Sequence, residues 1–419
     1  MKRCLVLTPY PLRQPGWGGQ FRSASIVEGL AASGWQVAPV GIYHGGFFPP
    51  DQQGPDDIAL TDPDVQKAML DHNLFFDLLS ARHAARNGDV VSRLRACLRR
   101  VEPDVVLLEQ PWLWLVLRQV LDDAGGAAIV YSSHNIEWRF RPELYRLGLR
   151  RPSSEALVAL TRALETELYH RADLVLSISD VEADEIAREG AREVIYLPPV
   201  SDLAGKPIAT DGRFPAEAAA AGIRYAAMMG TAYWPNVEGF FEVFPDGLGF
   251  LRWNERLWVG GQLGDALAAD RRYRDFQSIN DSRLRRVGVV PGEDKANFLS
   301  GAHCVFVPVR LGAGAKLKTA DALASGRAVV STSHGIEGYG PLVASALGHG
   351  VYVADAPHEF RSLIRRALRE GLPGCSEAVR AALGQERLTS TLGAAFDTML
   401  QKRGSESTTE TRIDNRVPD

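Results

Sequence analysis

Residues 302–338, AHCVFVPVRLGAGAKLKTADALASGRAVVSTSHGIEG, decide the fold of this chain. The apolar run at 304–309 predicts a buried parallel strand, because strands covered on both faces are continuously hydrophobic. Gly312 and Gly314 then predict a sharp loop, since glycine adopts backbone conformations that other residues avoid. Helical spacing over 316–324 ends at a glycine, and a second apolar strand follows at once. Strand, loop, helix and strand together predict one segment of a doubly wound α/β sheet.

The loop and helix of this stretch carry charges suited to a phosphorylated ligand. Lys316 and Lys318 stand at the helix start, where backbone N–H groups favour anions, so we expect a diphosphate there. Asp321, one turn further on, repels phosphate but accepts hydrogen bonds from hydroxyl groups. Phosphate and polyol recognition side by side indicate a nucleotide sugar. An ordinary crossover with a solvated Lys/Asp face is the structural alternative, and a lone glycine loop would favour it.

The first residues of the chain predict a second α/β segment. An apolar strand at 3–8 leads into a loop with Gly18 and Gly19, a helix that ends at Gly34, and another strand at 36–42. Such a loop lies at the ligand edge of the sheet. It lacks the G-x-G-x-x-G pattern, and no acidic residue ends the second strand, so dinucleotide binding is disfavoured. A simple turn at the two glycines is the alternative.

A histidine follows the strand predicted at 128–131, within the sequence SSHNIEW of residues 132–138. His134 therefore lies at the carboxyl edge of a parallel sheet, where α/β proteins bind ligands. Asn135 and Glu137 follow it and are expected to place the loop. A single histidine usually has a structural role, but the polar neighbours favour an active-site role here.

Residues 312–338 contain the pattern G-x-G-x-K-x-K-x-x-D-A-x-A-x-G, followed by VVST and G-x-E-G. The pattern resembles the donor-binding segment of GT-B glycosyltransferases of the family 4 (group 1) type. Ala313 and Asp321 stand where the commonest members of that family have two glutamates. Thr231 and Asn236 stand where those members have an arginine and a lysine. These departures resemble a subgroup with a G-x-G-x-K-x-K loop, in which we expect the two loop lysines to neutralise the phosphates.

The resemblance implies an α/β fold of the GT-B type, with two doubly wound Rossmann-like domains facing across a cleft. It also implies a hexosyl- or other glycosyltransferase. Such an enzyme moves a sugar from a UDP-, GDP- or dTDP-sugar to a glycan, lipid-linked or small-molecule acceptor, with retention at the anomeric carbon and without a metal.

The resemblance also implies roles for individual residues. The catalytic residues are His134, Lys318 and Asp321. The donor-binding residues are Gly18, Gly19, Thr231, Asn236, Gly312, Gly314, Lys316, Lys318, Asp321, His334 and Glu337. The substrate-binding residues are Arg22, Asn135 and Glu137. A structural turn is the alternative for His334 and Glu337.

The length of 419 residues suits two domains of about two hundred residues each. We expect an N-terminal acceptor-side domain at 1–198 and a C-terminal nucleotide-sugar domain at 199–378. A helix at 379–402 is expected to cross back to the first domain. The tail 403–419 has no apolar periodicity and is expected to be disordered.

Composition limits the partners and the compartment. The net charge of −4 gives no general attraction to nucleic acid. The four cysteines are far apart and follow no metal spacing, so we expect buried thiols and a cytoplasmic protein. The basic segment 139–152 suggests peripheral contact with the inner face of a membrane, and a solvated helix is its alternative.

Three rival functions share features with this reading. A catalytically silent nucleotide-sugar-binding subunit fits the replacements at Thr231, Ala313 and Asp321. A phosphorylase or epimerase would use the same fold, but the expected acceptor loop and the absence of a pyridoxal-type lysine context argue against it. A dinucleotide-dependent oxidoreductase is weakened by the missing glycine fingerprint.

Overall fold

The computed structural model describes residues 1–71, 75–140, 153–208 and 211–414. It consists of two compact units. Unit 1 comprises Met1–Leu197 with Leu388–Asp419, and unit 2 comprises Pro198–Arg387. Each unit is built around one parallel sheet, as the alternation of apolar strands and helices predicted.

Unit 1 contains a seven-stranded sheet in the order β3-β2-β1-β4-β5-β6-β7, and its strands pair in parallel. The strands are β1 (Arg3–Thr8), β2 (Gln36–His44), β3 (Ile58–Leu60), β4 (Val105–Glu109), β5 (Ala128–Ser133), β6 (Leu174–Ser177) and β7 (Val194–Tyr196). Every residue of β4 and β5 is buried, which explains why both strands are apolar apart from their carboxyl ends.

Unit 2 contains a six-stranded sheet in the order β10-β9-β8-β11-β12-β13, whose strands also pair in parallel. The strands are β8 (Arg224–Met229), β9 (Glu255–Gly260), β10 (Leu284–Gly288), β11 (Cys304–Val307), β12 (Ala328–Ser331) and β13 (Val351–Val353).

The helices flank the two sheets. They are α1 (Gly18–Ala32), α2 (Pro63–Asp71), α3 (Phe76–Arg86), α4 (Gly88–Val101), α5 (Trp114–Leu117), α6 (Ser153–Arg171), α7 (Asp180–Arg188), α8 (Arg213–Ala220), α9 (Trp234–Val243), α10 (Leu263–Ala269), α11 (Arg271–Arg274), α12 (Gln277–Arg283), α13 (Gly292–Ser300), α14 (Leu317–Ala324), α15 (Gly340–Val343), α16 (Pro357–Arg369), α17 (Glu377–Ala381) and α18 (Gln385–Asp414). Short 3₁₀ turns lie at Gly45–Phe47, Pro50–Gln52, Leu121–Ala124 and Ala344–Ala346.

Each unit has its own hydrophobic core between the sheet and its helices. Leu5 and Leu108 are buried in the core of unit 1, and Leu257 and Phe306 are buried in that of unit 2. Each fully buried aliphatic side chain contributes roughly 1.5–3 kcal/mol to folding. Gly239 on α9 allows close packing, because a Cβ there would lie 1.9 Å from the backbone oxygen of Pro308. The glycine therefore lets α9 pack closely against the backbone that follows β11.

The stretch 302–338 adopts the predicted strand, loop, helix and strand as β11, α14 and β12. The C-terminal segment differs from the expectation. Helix α18 continues beyond residue 403 to Asp414, because a helix that is already formed adds further residues at little cost. Within unit 1 its Phe396 packs against Trp35, with 5.3 Å between ring centroids.

Candidate functional site

The order of strands places several predicted residues at one point of unit 2. In a doubly wound sheet, ligands bind where the strand order reverses, beyond the carboxyl ends of the strands. In unit 2 this reversal lies between β8 and β11. The turn after β8 carries Thr231 and Asn236, and the turn after β11 carries Gly312, Lys316 and Lys318. The two sequence motifs therefore meet at the position where this fold favours a ligand.

Thr231, Asn236, Lys316 and Lys318 form what we call the lysine cluster. The Lys318 ammonium donates to Oδ1 of Asn236, and Nδ2 of Asn236 donates to the Thr231 carbonyl at 3.0 Å. Burial, together with the neighbouring Lys316 charge, lowers the pKa of Lys318 to about 8. The contact partner of Lys318 is a neutral amide oxygen, so this contact does not neutralise the ammonium charge. The cluster is suited to an anion.

The glycine loop of unit 2 is fixed by hydrogen bonds from the turn after β12. Gly312 has a φ of 110°, which an L side chain rarely adopts, and its carbonyl lies 2.6 Å from Nε2 of His334. Nδ1 of His334 lies 2.9 Å from the Glu337 carboxylate. The Tyr339 hydroxyl donates to the Lys316 carbonyl at 2.8 Å. His334 and Glu337 therefore support the loop that presents the lysines.

Asp321 has protein partners that its sequence motif does not reveal. Its Oδ1 accepts a hydrogen bond from the Ser201 hydroxyl at 2.7 Å and an ion pair from Lys295 at 2.8 Å. Lys295 also pairs with Asp202 at 2.5 Å. Burial disfavours the Lys295 ammonium, but the two carboxylates outweigh this effect and raise its pKa. We call Ser201, Asp202, Lys295 and Asp321 the Asp321 cluster.

The strand order of unit 1 reverses between β1 and β4, and a buried polar group occupies the carboxyl ends of these strands. Glu109, the last residue of β4, is fully buried. Its Oε2 accepts a hydrogen bond from the Ser23 hydroxyl at 2.9 Å and lies 2.5 Å from Nε2 of His134. The Tyr10 hydroxyl lies 2.9 Å from that of Ser23. We call Tyr10, Ser23, Glu109 and His134 the Glu109 cluster.

The loop after His134 is held by a second buried carboxylate. Glu165 on α6 accepts hydrogen bonds from the backbone N–H groups of Glu137 at 3.0 Å and Trp138 at 2.9 Å. Burial and the nearby Glu137 charge raise the pKa of Glu165 to about 8. Nδ2 of Asn135 donates to the Glu137 carboxylate at 3.2 Å. Asn135 thus lies in the bend after β5, and Glu137 begins the helical residues 137–140, whose first backbone N–H groups are held by α6.

The remaining predicted residues of unit 1 lie at the start of α1. Gly18 and Gly19 are its first two residues, and a Cβ at Gly19 would lie 3.6 Å from Nδ1 of His134. Arg22 is buried, and its Nη1 donates to the Leu197 carbonyl at 2.8 Å. This contact ties α1 to the segment that follows β7. Acceptor binding by Arg22 stays a prediction.

Both halves of the chain match families of known proteins. Residues 18–199 match the family described as Glycosyl transferase 4-like domain, and residues 225–370 match the family described as Glycosyl transferases group 1. The chain carries the two domains of a GT-B glycosyltransferase. No curated protein sequence matches this glycosyltransferase.

Solved structures similar to this glycosyltransferase share its fold over the whole chain. Sucrose-phosphate synthase from Thermosynechococcus elongatus is 16% identical, with a TM-score of 0.61 over 99% of this chain and 100% of that chain. HepE from Anabaena, solved in complex with UDP, is 12% identical, with a TM-score of 0.59 over 98% and 100%. α,α-Trehalose 6-phosphate synthase from Burkholderia multivorans is 12% identical, with a TM-score of 0.58 over 100% and 99%. These comparisons confirm the predicted GT-B fold class.

Several functional candidates of the glycosyltransferase were missed in the sequence. Glu109 carried a usable signal, since an acidic residue directly follows an apolar strand and must lie at the ligand edge of the sheet. Ser201 and Lys295 carried none, because they lie in an irregular segment and on a polar helix far from Asp321 in sequence. Glu165 lies within a long helix, and the sequence assigned it no contact with the loop after His134.

The described part of the glycosyltransferase was expected to bind no metal and to contact a membrane only at its surface. There, no group of three or more His, Cys, Asp and Glu side chains is arranged to hold a metal ion. In the same residues, no helix has the length and apolar character needed to cross a bilayer. Most of the basic segment 139–152, from which we expected membrane contact, lies outside the described residues.

Proposed function

We propose that this glycosyltransferase moves a hexosyl or related sugar from a nucleoside-diphosphate sugar to a hydroxyl acceptor. The lysine cluster is the observation that carries the proposal. Two ammonium groups and a glycine loop lie where the strand order of unit 2 reverses, and the described contact of Lys318 is with an amide oxygen. A bound diphosphate would place negative charge beside the Lys318 ammonium, whose described contact is a neutral amide oxygen.

The chemistry of the lysine cluster suits the departure of a nucleoside diphosphate. Negative charge grows on the diphosphate as its bond to the anomeric carbon breaks. A fixed ammonium in a desolvated site stabilises that charge far more than one in water, and removal of one such donor typically costs 100- to 1,000-fold in rate. The lowered pKa of Lys318 supports such an environment. In our proposal Lys318 and Lys316 contact the diphosphate, as do the N–H groups beside Gly314.

The other predicted residues receive proposed roles around this leaving group. Asp321 holds the ribose hydroxyls, and His334 with Glu337 keeps the glycine loop in place. His134 contacts hydroxyls of the transferred sugar. We further propose retention at the anomeric carbon without a metal, as the family 4 resemblance implies. UDP is the first nucleotide to test, because a structure with the same fold was solved in complex with UDP.

The acceptor side of the proposal rests on the N-terminal unit. Arg22, Asn135 and Glu137 are its candidate residues, and a glycan, a lipid-linked sugar or a small molecule is the candidate acceptor. Burial of Arg22 against Leu197 favours a supporting role for this arginine, in which it shapes the site without direct contact.

A second candidate function is a nucleotide-sugar-binding subunit without catalysis. One observation favours it, since Oδ1 of Asp321 is already engaged by Ser201 and Lys295. If these bonds persist with ligand, only the other carboxylate oxygen is available to the ribose. The carboxylate has four lone-pair positions in all, so ribose binding and the observed bonds are compatible.

A panel of donors distinguishes these functions. UDP-, GDP- and dTDP-sugars are each incubated with the full-length protein, and binding is followed by thermal shift while released nucleoside diphosphate is measured. We expect the sugars of one nucleotide to raise the Tm. We also expect slow release of that nucleoside diphosphate in the absence of acceptor. Binding without release would support the silent subunit. A response to NAD(P) in place of nucleotide sugars would overturn the proposal. NMR of the transferred sugar then reports the anomeric configuration.

A further inference from the structure

We infer that Glu109 is a positioning residue that fixes the orientation and the proton of the His134 imidazole. Glu109 lies at the end of β4, on a different strand from the one that His134 follows. The inference deepens the proposed function, because His134 is the residue expected to contact the donor sugar. Its kinetic part rests on that function, whereas its structural part does not.

The first argument is the geometry of the Glu109 cluster. Glu109 ends β4 and His134 follows β5, the neighbouring strand, so the sheet itself brings the two side chains together. Both side chains are buried, Glu109 completely and His134 to all but 6%. Nε2 of His134 lies 2.5 Å from Oε2 of Glu109, and hydrogen bonds to an ionised carboxylate are stronger than neutral ones. A carboxylate at this depth is stable only when it accepts such bonds.

The second argument is the direction of the hydrogen bonds. The Ser23 hydroxyl donates its proton to Glu109, so it accepts from the Tyr10 hydroxyl. Burial and the negative charge of Glu109 raise the pKa of Tyr10, which keeps it a donor. Among the described residues, the other oxygen of Glu109 has no hydrogen-bond partner. Ser23 and His134 therefore orient the carboxylate, and Nε2 of His134 carries the proton.

The third argument is backbone strain directly after Glu109. Gln110 has a φ of 68°, a left-handed conformation that residues other than glycine rarely adopt. Its N–H donates to the Ser132 carbonyl at 3.1 Å, and its side-chain oxygen accepts from Nε1 of Trp112 at 3.0 Å. These bonds hold a costly conformation in place. Strained residues of this kind cluster at functional sites, and this one directly follows Glu109.

The consequence is that His134 presents Nδ1 to a ligand. With Nε2 bonded to Glu109, the other ring nitrogen faces the start of α1, 3.6 Å from the position of a Cβ at Gly19. A side chain at that position would fill the space beside Nδ1. We expect a sugar hydroxyl to approach Nδ1 from this side, where the Tyr10 hydroxyl lies 3.2 Å from the same Cβ position.

The structural part is tested by proton NMR of the ligand-free, full-length protein. We expect a strongly downfield, slowly exchanging imidazole proton that is absent in His134→Ala. In Glu109→Gln the amide oxygen still accepts the bond, so the signal should persist but move upfield. In Glu109→Leu it should disappear. Absence of the signal from the wild type, or its unchanged position in Glu109→Leu, would overturn the inference.

The kinetic part is tested with the best donor of the panel. We expect kcat to fall roughly 10-fold in Glu109→Gln and roughly 100-fold in Glu109→Leu, the range known for carboxylates that orient metal-bound histidines. KM for the donor should stay within about twofold, because the nucleotide is bound by other residues. Glu109 would have only a structural role if Glu109→Leu lost kcat in proportion to its thermal stability while Glu109→Gln kept the wild-type kcat.

A matched pair of serine variants covers the case in which Glu109→Leu fails to fold. Ser23→Ala removes one donor from Glu109, whereas Ser177→Ala removes an equally buried hydroxyl that bonds only to the turn at Ser179. The downfield proton should shift in Ser23→Ala and stay in place in Ser177→Ala. An identical response of the two variants contradicts the inference. Because this signal needs neither donor nor acceptor, it is independent of whether the protein proves to be a transferase.

Discussion

The two units carry groups of opposite charge at equivalent positions of their sheets. Each sheet reverses its strand order once, and in each unit polar side chains lie near the carboxyl ends of the strands at that point. In unit 1 these form a carboxylate bonded to an imidazole and a hydroxyl. In unit 2 they form the lysine cluster. The fold thus fixes where these polar groups lie, whereas the side chains give unit 1 a buried carboxylate and unit 2 a pair of ammonium groups.

The two clusters also differ in how far their charges are satisfied. Glu109 receives two hydrogen bonds, so its burial is compensated within the protein. Lys318 meets an amide oxygen, and burial with the Lys316 charge lowers its pKa to about 8. A desolvated cation of this kind costs stability in the ligand-free state. Such cost is common at functional sites, where a ligand removes it.

The largest expected effect comes from removing the Lys318 charge. We expect Lys318→Ala to lower kcat/KM for the donor by roughly 100- to 1,000-fold, because the departing diphosphate loses a fixed cation. The measurement is initial-rate kinetics at pH 7. The Tm should not fall, since the folded protein no longer buries an ammonium.

The matched control is Lys206→Ala, which removes a lysine of the same unit whose side chain is 53% exposed. This variant should keep the wild-type kcat/KM. If Lys318→Ala is as active as Lys206→Ala, the contrast between the hydrogen-bonded Glu109 carboxylate of unit 1 and the Lys318 ammonium of unit 2 has no functional meaning.

A smaller effect is expected from the Asp321 cluster. Lys295→Met removes one of the two groups that hold the Asp321 carboxylate, while Ser201 remains. We expect the donor KM to rise roughly tenfold with little change in kcat, the equivalent of one charge-assisted hydrogen bond. Kinetics over a range of donor concentrations separate the two parameters.

Asp202→Asn provides the comparison for Lys295→Met. This variant removes the outer partner of Lys295, since the Asp202 side chain is 51% exposed. The ion pair between Lys295 and Asp321 stays in place. The donor KM of Asp202→Asn should stay near that of the wild type, since exposed ion pairs contribute little. A lower donor KM in Lys295→Met would mean that Lys295 competes with the ribose for Asp321, which would favour the silent-subunit reading.

The parts of the site that the sequence predicted are those fixed by neighbouring strands. Asn236 and Lys318 belong to separate motifs, yet both follow strands that pair in the sheet, so strand order alone brings them together. The same rule would have found Glu109. It does not reach Lys295 or Ser201, whose contacts with Asp321 depend on helix packing and on an irregular segment. The sequence also did not predict that helix α18 extends past residue 402 to Asp414. Continuation of a formed helix needs no apolar pattern.

The smallest expected effect is a fraction of a proton taken up when the donor binds. In the ligand-free protein the pKa of Lys318 is about 8, and a bound diphosphate raises it by direct attraction. At pH 8 about half of the Lys318 side chains are neutral, so binding should take up about half a proton. Affinity should therefore fall as the pH rises through 8, because the bound state holds more protons than the free state.

This uptake is measured by calorimetry at pH 8 in buffers with different ionisation enthalpies. The best-binding nucleoside-diphosphate sugar serves as ligand, since its diphosphate does not titrate near this pH. Lys318→Ala should bind more weakly and take up no proton, whereas Lys206→Ala should behave like the wild type. Uptake that persists in Lys318→Ala would assign the proton to another group of the site. No uptake by the wild type would mean that Lys318 does not meet the diphosphate, and the contrast between the two units would then rest on unit 1 alone.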